Sequence, residues 1–206
     1  FIEVNSKGQN RIIVSAGTNR MYTEEYIKNV LEKAEAGDFV LLQNEINMVG
    51  EIIRLSHEKG CRVVFNASPI PGKPEELPLE LVDIFMVNEL EAAALAGTST
   101  EGDFRDILKA LQKKYPKAAI VMTLGKEGVF YGYKEEFYSH PIFKVNAVDT
   151  TAAGDTFCGY FLAALCAEKS VETALREASA ASAMAVSAKG AAPSIPVHSA
   201  VEEWLC

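Results

Sequence analysis

Two carboxylates flank a run of small residues in the last third of the chain. Asp149 and Asp155 enclose residues 150–154, which read Thr-Thr-Ala-Ala-Gly, and an apolar helical pattern follows directly. Small side chains leave backbone N–H groups accessible, and free N–H groups at the start of a helix attract anions. The stretch is therefore predicted to bind an anion such as a phosphoryl group.

The residues of this stretch have distinct predicted roles. Ala152, Ala153 and Gly154 can direct successive N–H groups at one spot, near the positive end of the following helix. Asp155 lies in the first turn and faces the same spot, where a general base accepts a proton from an attacking hydroxyl. Spacing alone leaves an alternative open, in which Asp155 complements the helix dipole and Asp149 is an N-cap.

The composition disfavours several classes of partner and site. The 206 residues carry a net charge of -8, with 49% hydrophobic and 23% charged residues, as in ordinary globular domains. An acidic chain without a basic tract is a poor ligand for nucleic acid or an anionic membrane, so we expect neither partner. The sequence lacks a membrane-length apolar run and a signal peptide, and its four cysteines form no CxxC pair, so we expect a cytoplasmic protein with buried, reduced thiols. The phosphate-binding patterns GxxxxGK[ST] and GxGxxG are absent too.

Short apolar strands alternate with amphipathic helices along the chain. Strands are predicted over 11–17, 38–43, 61–68, 83–88 and 118–125, followed by alternating antiparallel strands within 128–148. Helices are predicted after the N-cap Thr23, up to Gly60, over 89–96 and 104–115, over 154–168 and 170–190, and around Trp204. Continuous apolar strands between helices are typical of a parallel sheet with both faces covered. We therefore predict one α/β layered domain over residues 1–206.

Polar residues follow the predicted strands at the points where they end. Ligands of open parallel sheets collect beyond the carboxyl ends of the strands. The residues at those ends form five groups: Gln43, Asn44 and Glu45; Asn66 and Ser68; Asn88, Glu89 and Glu91; Thr123 and Gly125; and Asp149 and Thr150. The start of a polar loop explains any one of these groups, whereas five groups in succession favour a crevice for a metal-nucleotide and a polyol.

Four segments of the chain carry motifs of one family, in the family's order. Residues 148–165 contain a D-T-x-A-A-G-D-x-F signature, residues 86–97 an N-x-x-E segment, residues 121–130 a T-x-G-x-x-G loop, and residues 188–196 read AKGAAPSIP. Together they resemble the ribokinase, or PfkB, family of carbohydrate kinases. The likeness runs from about residue 1 to the end.

The resemblance implies a fold and an activity. The fold is a three-layer α/β/α domain with a mainly parallel central sheet. The activity is ATP-dependent transfer of the γ-phosphoryl group to a primary hydroxyl of a sugar, with D-ribose and ribose 5-phosphate as the favoured pair. Fructokinase, nucleoside kinase and other sugar kinase activities stay open, as do a non-catalytic nucleotide-binding module and a purely structural domain.

The resemblance also implies a role for each motif residue. Asp155 would be the catalytic base and would contact the sugar, as would Glu45, while the amides of Ala152, Ala153 and Gly154 would form an anion hole. ATP would contact Thr123, Gly125, Gly128, Ser179 and Gly190, with Ser179 where family members often have Asn or His. Asn88 and Glu91 would organise Mg²⁺ through water. The K⁺ ligands would be Asp149, Thr151, Ala185, Ala188, Gly190 and Ser194.

One part of the family pattern does not occur in the sequence. The G-G-x-x-x-N sugar motif and most strands of the β-lid of the family's N-terminal third are absent, and residues 1–15 resemble the junction between lid and core. We therefore expect that the first strands of the sheet and most sugar contacts are missing and that the isolated chain is inactive. The full-length protein is expected to be a homodimer, as lid-mediated dimers occur in the family.

Overall fold

The computed structural model describes residues 1–4 and 10–206, and its elements follow the predicted alternation. The strands are β1 (Ile2–Val4), β2 (Asn10–Ile12), β3 (Phe39–Gln43), β4 (Arg62–Asn66), β5 (Ile84–Asn88), β6 (Ala119–Thr123), β7 (Val129–Tyr133) and β8 (Glu136–His140). The α-helices of the described residues are α1 (Glu24–Leu31), α2 (Val49–Glu58), α3 (Glu89–Ala96), α4 (Phe104–Lys114), α5 (Ala153–Cys166), α6 (Val171–Val186) and α7 (His198–Leu205). None of these helices is both long and apolar enough to cross a membrane.

The central sheet has six strands in the order β3-β4-β5-β6-β7-β8. The first four strands are parallel, and β7 and β8 are added antiparallel as a hairpin. Parallel neighbours need a crossover connection, and α2, α3 and α4 lie within these crossovers. The predicted mainly parallel sheet is confirmed.

Helices cover both faces of the sheet, and alternate residues of each strand point to opposite faces, so both sets of side chains are buried. Val63, Phe65 and Phe85 belong to a core that also contains residues of α1, α2, α3 and α4. Val64 and Ile84, their neighbours along the strands, belong to a second core with residues of α5 and α6. Two apolar faces explain the continuous apolar strands of the sequence, and the three-layer α/β/α architecture is confirmed.

The helix boundaries follow local signals in the sequence. The Thr23 hydroxyl accepts a hydrogen bond from the Tyr26 N–H at 3.2 Å and caps α1 as predicted. Gly60 follows the end of α2 with a positive φ of 77°, which favours glycine after a helix.

The predicted strand over 11–17 is wrong beyond Ile12. Strand β2 pairs only with β1 among the described residues, and Ile13 makes the last hydrogen bonds of this hairpin, with Phe1. Beyond it Val14 is 75% exposed, and Gly17 begins a 3₁₀ turn. Apolar residues alone do not extend a strand that has no partner. Of the predicted junction over 1–15, residues 5–9 lie outside the described residues.

The turn between β6 and β7 depends on two glycines. Gly125 begins a 3₁₀ turn with φ of 50°, and Gly128 follows with φ of 101°. A Cβ at Gly128 would lie 2.2 Å from the His140 carbonyl oxygen and 3.0 Å from the Pro141 Cα, whereas a Cβ at Gly125 would meet no atom within 4 Å. Both positions favour glycine conformationally, but only Gly128 is also a close approach of two backbones.

We predict that Gly128→Ala destabilises the fold far more than Gly125→Ala. Gly125→Ala costs about 1 kcal/mol because it places an alanine in the left-handed region. Gly128→Ala adds a backbone clash and costs at least about 3 kcal/mol. Urea denaturation of both variants gives the two free energies of unfolding, and equal losses would contradict the close approach at Gly128.

Candidate active site

A cleft of about 220 Å³ opens at the carboxyl ends of the parallel strands. Its sheet side includes the last residue of each parallel strand, Gln43 of β3, Asn66 of β4, Asn88 of β5 and Thr123 of β6. Parallel strands end at one edge of a sheet, so the topology alone gathers these polar side chains. The start of α5 forms the opposite side, with Ala152, Ala153, Gly154 and Asp155.

The first turn of α5 has no side-chain cap. Its N-cap residue is Ala152, which adopts a left-handed conformation with φ of 59°. The N-caps of α1, α3 and α6 are Thr23, Asn88 and Ser170, and each accepts a hydrogen bond from a first-turn N–H group. Alanine has no side-chain acceptor, and the Ala153 N–H donates to the Thr150 carbonyl at 3.3 Å, whereas the Gly154 N–H has no acceptor among the described residues and is available to an anion in the cleft.

Asp155 lies in this first turn and is exposed to the cleft. Its Oδ1 atom accepts a hydrogen bond from the Gln43 Nε2 atom at 2.9 Å. Asp155 also borders a neighbouring pocket of about 330 Å³ that Glu45 and Gly159 help to line. The structure thus brings Glu45 and Asp155 to one pocket, and sequence reasoning missed their neighbour Gln43 as a partner of Asp155.

Asn88 and Glu91 form a capping box at the start of α3. The Asn88 Oδ1 atom accepts from the Glu91 N–H, and the Glu91 Oε2 atom accepts from the Asn88 N–H, both at 2.9 Å. Glu91 is buried, and both residues border the cleft. The N-x-x-E spacing is itself a capping-box signal, and it was available from the sequence.

The described residues contain no group of three or more His, Cys, Asp or Glu side chains that could hold a metal ion. Asn88 and Glu91 therefore have no further such ligands beside them in this part of the chain. Their role toward Mg²⁺ stays a prediction, in the form in which water links the ion to the protein.

A second, larger groove of about 590 Å³ joins the cleft. Thr123, Thr150, Ala153, Gly154 and Phe157 border both spaces. The other lining residues come from three segments and are Gly125, Lys126, Gly128, Val129, Ile142, Phe143, Lys144, Val145, Ala147, Ser179, Ser182, Ala183 and Val186. The groove therefore leads from the T-x-G-x-x-G loop and α6 to the start of α5.

Several lining residues of the groove were not predicted. Lys126 lies within the T-x-G-x-x-G loop, and Lys144 lies in the segment before the signature, where the position next to that motif was an available signal. The Ser182 hydroxyl donates to the Ala153 carbonyl at 3.0 Å and links α6 to the first residue of α5. Ser179 lines the groove and Gly190 does not, and the nucleotide contacts of both residues stay predictions.

Asp149 connects two loops instead of capping α5. Its Oδ1 atom accepts from the Thr151 N–H at 2.9 Å, and its Oδ2 atom accepts from the Gly190 N–H at 3.0 Å. A hydrogen bond from the Thr151 side chain, followed by those two N–H groups, lowers the pKa of Asp149 to about 2, so it is ionised at neutral pH. The alternative of Asp149 as an N-cap is wrong, because Ala152 has that position.

The predicted K⁺ ligands lie in two segments that contact each other. The Val148 and Asp149 N–H groups both donate to the Val186 carbonyl, which joins the signature to the end of α6. The Ser194 hydroxyl donates to the Gly190 carbonyl at 2.8 Å, and the Ala188 N–H donates to the Ala185 carbonyl at 3.2 Å. These contacts collect backbone carbonyls, a hydroxyl and an ionised carboxylate in one loop region.

The cysteines differ in exposure. Cys61 and Cys158 are buried, as expected, whereas Cys166 and Cys206 are exposed. Burial raises the pKa of Cys158 to about 11, so its thiol stays protonated beside the cleft. The Asn66 Nδ2 atom donates to the Cys158 Sγ atom at 3.3 Å.

Comparison with known proteins decides the family. The profile described as "pfkB family carbohydrate kinase" matches residues 1–198. The chain belongs to this family. Among its relatives, the ribokinase of Haemophilus influenzae is 35% identical over 100% of this chain and 68% of its own length, and the ribokinase of Bacillus subtilis is 37% identical over 97% and 66%.

Solved structures of the family agree with the fold. The crystal structure of ribokinase from Thermotoga maritima has a TM-score of 0.85 and 36% identity, and it covers 100% of this chain and 68% of its own. Ribokinase from Arabidopsis thaliana, complexed with ribose and ATP, has a TM-score of 0.82 and 31% identity over 99% of this chain and 67% of its own. This pfkB chain thus spans about two thirds of the length of these relatives.

Proposed function

We propose that the protein is an ATP-dependent sugar kinase that converts D-ribose to ribose 5-phosphate. The observation that carries this proposal is that Asp155 lies at the cleft in the uncapped first turn of α5. Ala153 and Gly154 of the same turn border both the cleft and the larger groove. Membership in the pfkB family of carbohydrate kinases gives the reaction class. The ribokinase relatives, and the ribokinase solved with ribose and ATP, favour ribose as the acceptor.

In the proposed reaction, Asp155 accepts the proton of the sugar's C5 hydroxyl while that oxygen attacks the γ-phosphorus of ATP. The new O–P bond forms as the bond between the γ-phosphorus and the β,γ-bridging oxygen breaks, and ADP leaves. The N–H groups of Ala152, Ala153 and Gly154 are proposed to stabilise the negative charge on the transferred group. Because phosphoryl transfer depends mostly on positioning and charge stabilisation, the protein's contribution is to hold these groups in line.

The groove is the proposed ATP site. In this proposal, the loop containing Thr123, Gly125 and Gly128 contacts phosphates and ribose, and Ser179 faces the base. Gly190 is proposed to act from the neighbouring loop that closes the base pocket, through its hydrogen bond to Asp149. The apolar lining contributed by Ile142 and Val145 suits a flat base.

Two cations complete the proposed site. Asn88 and Glu91 are proposed to orient the water shell of Mg²⁺, an oxygen-preferring ion that usually keeps several waters and binds substrate phosphates. Mg²⁺ supplies charge neutralisation at the phosphates. The loop region of Asp149 and Ser194 has the chemistry of a K⁺ site, because it combines an ionised carboxylate with carbonyl and hydroxyl oxygens. K⁺ there would brace the anion hole.

The organisation of the protein is also a proposal. We infer that residues 1–206 are one kinase domain and that residues 1–15 are the junction with a lid. We propose a homodimeric, cytoplasmic full-length enzyme with small-molecule partners only. The chain spans about two thirds of the length of its relatives, and the activity is proposed as that of the whole protein.

We predict that Asp155→Asn in the active protein lowers kcat by about three orders of magnitude or more, because the proton acceptor is lost. The dissociation constant for ATP stays within about twofold, since the N–H groups and the groove are unchanged. A coupled ADP-release assay with ribose measures kcat, and calorimetry measures ATP binding.

Asp106→Asn is the matched control, because Asp106 also lies in a helical first turn, that of α4, and is exposed. Its kcat should equal that of the unsubstituted protein. Near-normal turnover of Asp155→Asn would remove Asp155 from the mechanism. ATP binding without phosphorylation of any sugar by the complete protein would instead favour the nucleotide-binding module.

We predict that K⁺ raises kcat severalfold over Na⁺ at constant ionic strength, and that Asp149→Asn abolishes this response. The substitution removes the negative charge and one of the two acceptors that join Thr151 to Gly190. Turnover measured while KCl replaces NaCl gives the response directly. Equal rates in the two salts would contradict the proposed K⁺ site without affecting the assignment of Asp155.

A further inference from the structure

The contact between Gln43 and Asp155 connects two parts of the chain that are 112 residues apart. Gln43 is the last residue of β3, and Asp155 lies in the first turn of α5. The amide nitrogen can only donate, so it engages one carboxylate oxygen and leaves the other without this partner. A hydrogen bond to an ionised acceptor is also stronger than one between neutral groups.

A second contact runs parallel to the first. Gln43 and Asn66 are paired in register at the ends of β3 and β4. Asp155 and Cys158 are three residues apart on α5 and therefore lie on the same face of the helix. The Asn66 amide donates to the Cys158 Sγ atom at 3.3 Å, so two adjacent strand ends each hold one of these helix positions.

The backbone on which Gln43 lies is anchored to β4 and to the loop that follows β4. Strand β3 pairs with β4 over its whole length, from Phe39 to Gln43. Directly after the strand, the Asn44 N–H donates to the Ser68 carbonyl and the Asn44 side-chain amide donates to the Pro69 carbonyl, both at 3.0 Å. Gln43 therefore extends from a position with little freedom, as a group that orients another side chain should.

Asp155 itself has no comparable support from packing. Because it is exposed, ordering its side chain in one orientation costs rotamer entropy, which a hydrogen bond has to offset. A general base must lie within hydrogen-bond distance of the proton that it accepts, and a misplacement of about 1 Å costs roughly a hundredfold in rate. An orienting contact at this carboxylate is therefore a requirement of the chemistry.

We infer that Gln43 is a positioning residue for Asp155: it holds Oδ1 and thereby presents Oδ2 to the sugar hydroxyl. The Asn66–Cys158 contact holds the next turn of α5 against the same sheet edge. This role rests on the proposed function, since it concerns the base of that reaction, but the contact itself is independent of any activity.

Gln43→Met tests the inference because methionine keeps the length and volume of glutamine and removes the donor. In the active protein we expect kcat for ribose phosphorylation to fall about tenfold to a hundredfold, while KM for ATP stays within about twofold. Gln43→Glu should lower kcat further, because a second carboxylate accepts but does not donate and repels Asp155.

The matched control is Gln112→Met, the same exchange on α4. Within residues 1–4 and 10–206, the buried Gln112 Nε2 atom has no hydrogen-bond partner, and the residue does not line the cleft. Its kcat should equal that of the unsubstituted protein. If Gln43→Met retains kcat within twofold, the positioning role is overturned.

A crystal structure of Gln43→Met provides a readout that needs no turnover. We expect an unchanged α5 backbone and an Asp155 carboxylate distributed over more than one rotamer. One unchanged, well-ordered carboxylate orientation would overturn the inference even if kcat falls. If the unsubstituted, complete protein fails to phosphorylate ribose, the proposed function fails, while the carboxylate orientation still decides whether Gln43 holds Asp155.

Discussion

The first turn of α5 begins with Ala152, a residue in the left-handed conformation that has no side chain able to accept the N–H groups beyond it. Helices α1, α3, α4 and α6 satisfy such groups with a Thr, Asn, Asp or Ser side chain, whereas α2 and α7 begin, like α5, without a side-chain cap. Among the described helices that begin without a side-chain cap, α5 is the one whose first turn lines the cleft, where water or an anion can bind free N–H groups. The other groups of the site lie around that opening, because the parallel strands end at the same cleft.

Two layers of the fold meet at this turn and contribute different chemistry. The sheet edge provides neutral amides and a hydroxyl, in Gln43, Asn66, Asn88 and Thr123, because four parallel strands end there. The helical layer provides Asp155 and the backbone N–H groups. Hydrogen bonds from Gln43 and Asn66 connect the layers, and the Ser182 hydroxyl connects α5 to α6. The start of α5 is therefore held by contacts from β3, β4 and α6, although Asp155 is itself exposed.

Most of the architecture was predictable from the sequence because both faces of the sheet are buried. Continuous apolar strands such as 83–88, with helices between them, have few other solutions, and the caps at Thr23 and Gly60 gave local boundaries. The strand predicted over 11–17 failed because its extent depends on a partner strand, which residue types do not reveal. Membership in the pfkB family is confirmed by the match over residues 1–198.

Those site residues that belong to a recognisable motif were predictable from the sequence. Asp155 and Thr123 line the cleft because their motifs lie at the start of α5 and the end of β6, whereas Ser179 lines the groove from the middle of α6. Gln43 as the partner of Asp155 could not be found, since the contact spans 112 residues and depends on how α5 lies across the sheet. That Asn88 and Glu91 form a capping box at the start of α3 was predictable from their spacing. Their role toward Mg²⁺, like that of the predicted K⁺ ligands, stays a prediction.

In the proposed reaction, the uncapped turn of α5 receives the γ-phosphoryl group beside Asp155. A crystal structure of the protein with Mg²⁺ and a non-hydrolysable ATP analogue measures this directly. We expect the base in the groove beside Ser179 and γ-phosphate oxygens about 3 Å from the N–H groups of the first turn of α5, at hydrogen-bond distance. A triphosphate bound elsewhere, or one whose γ-phosphate lies far from this turn, would contradict it.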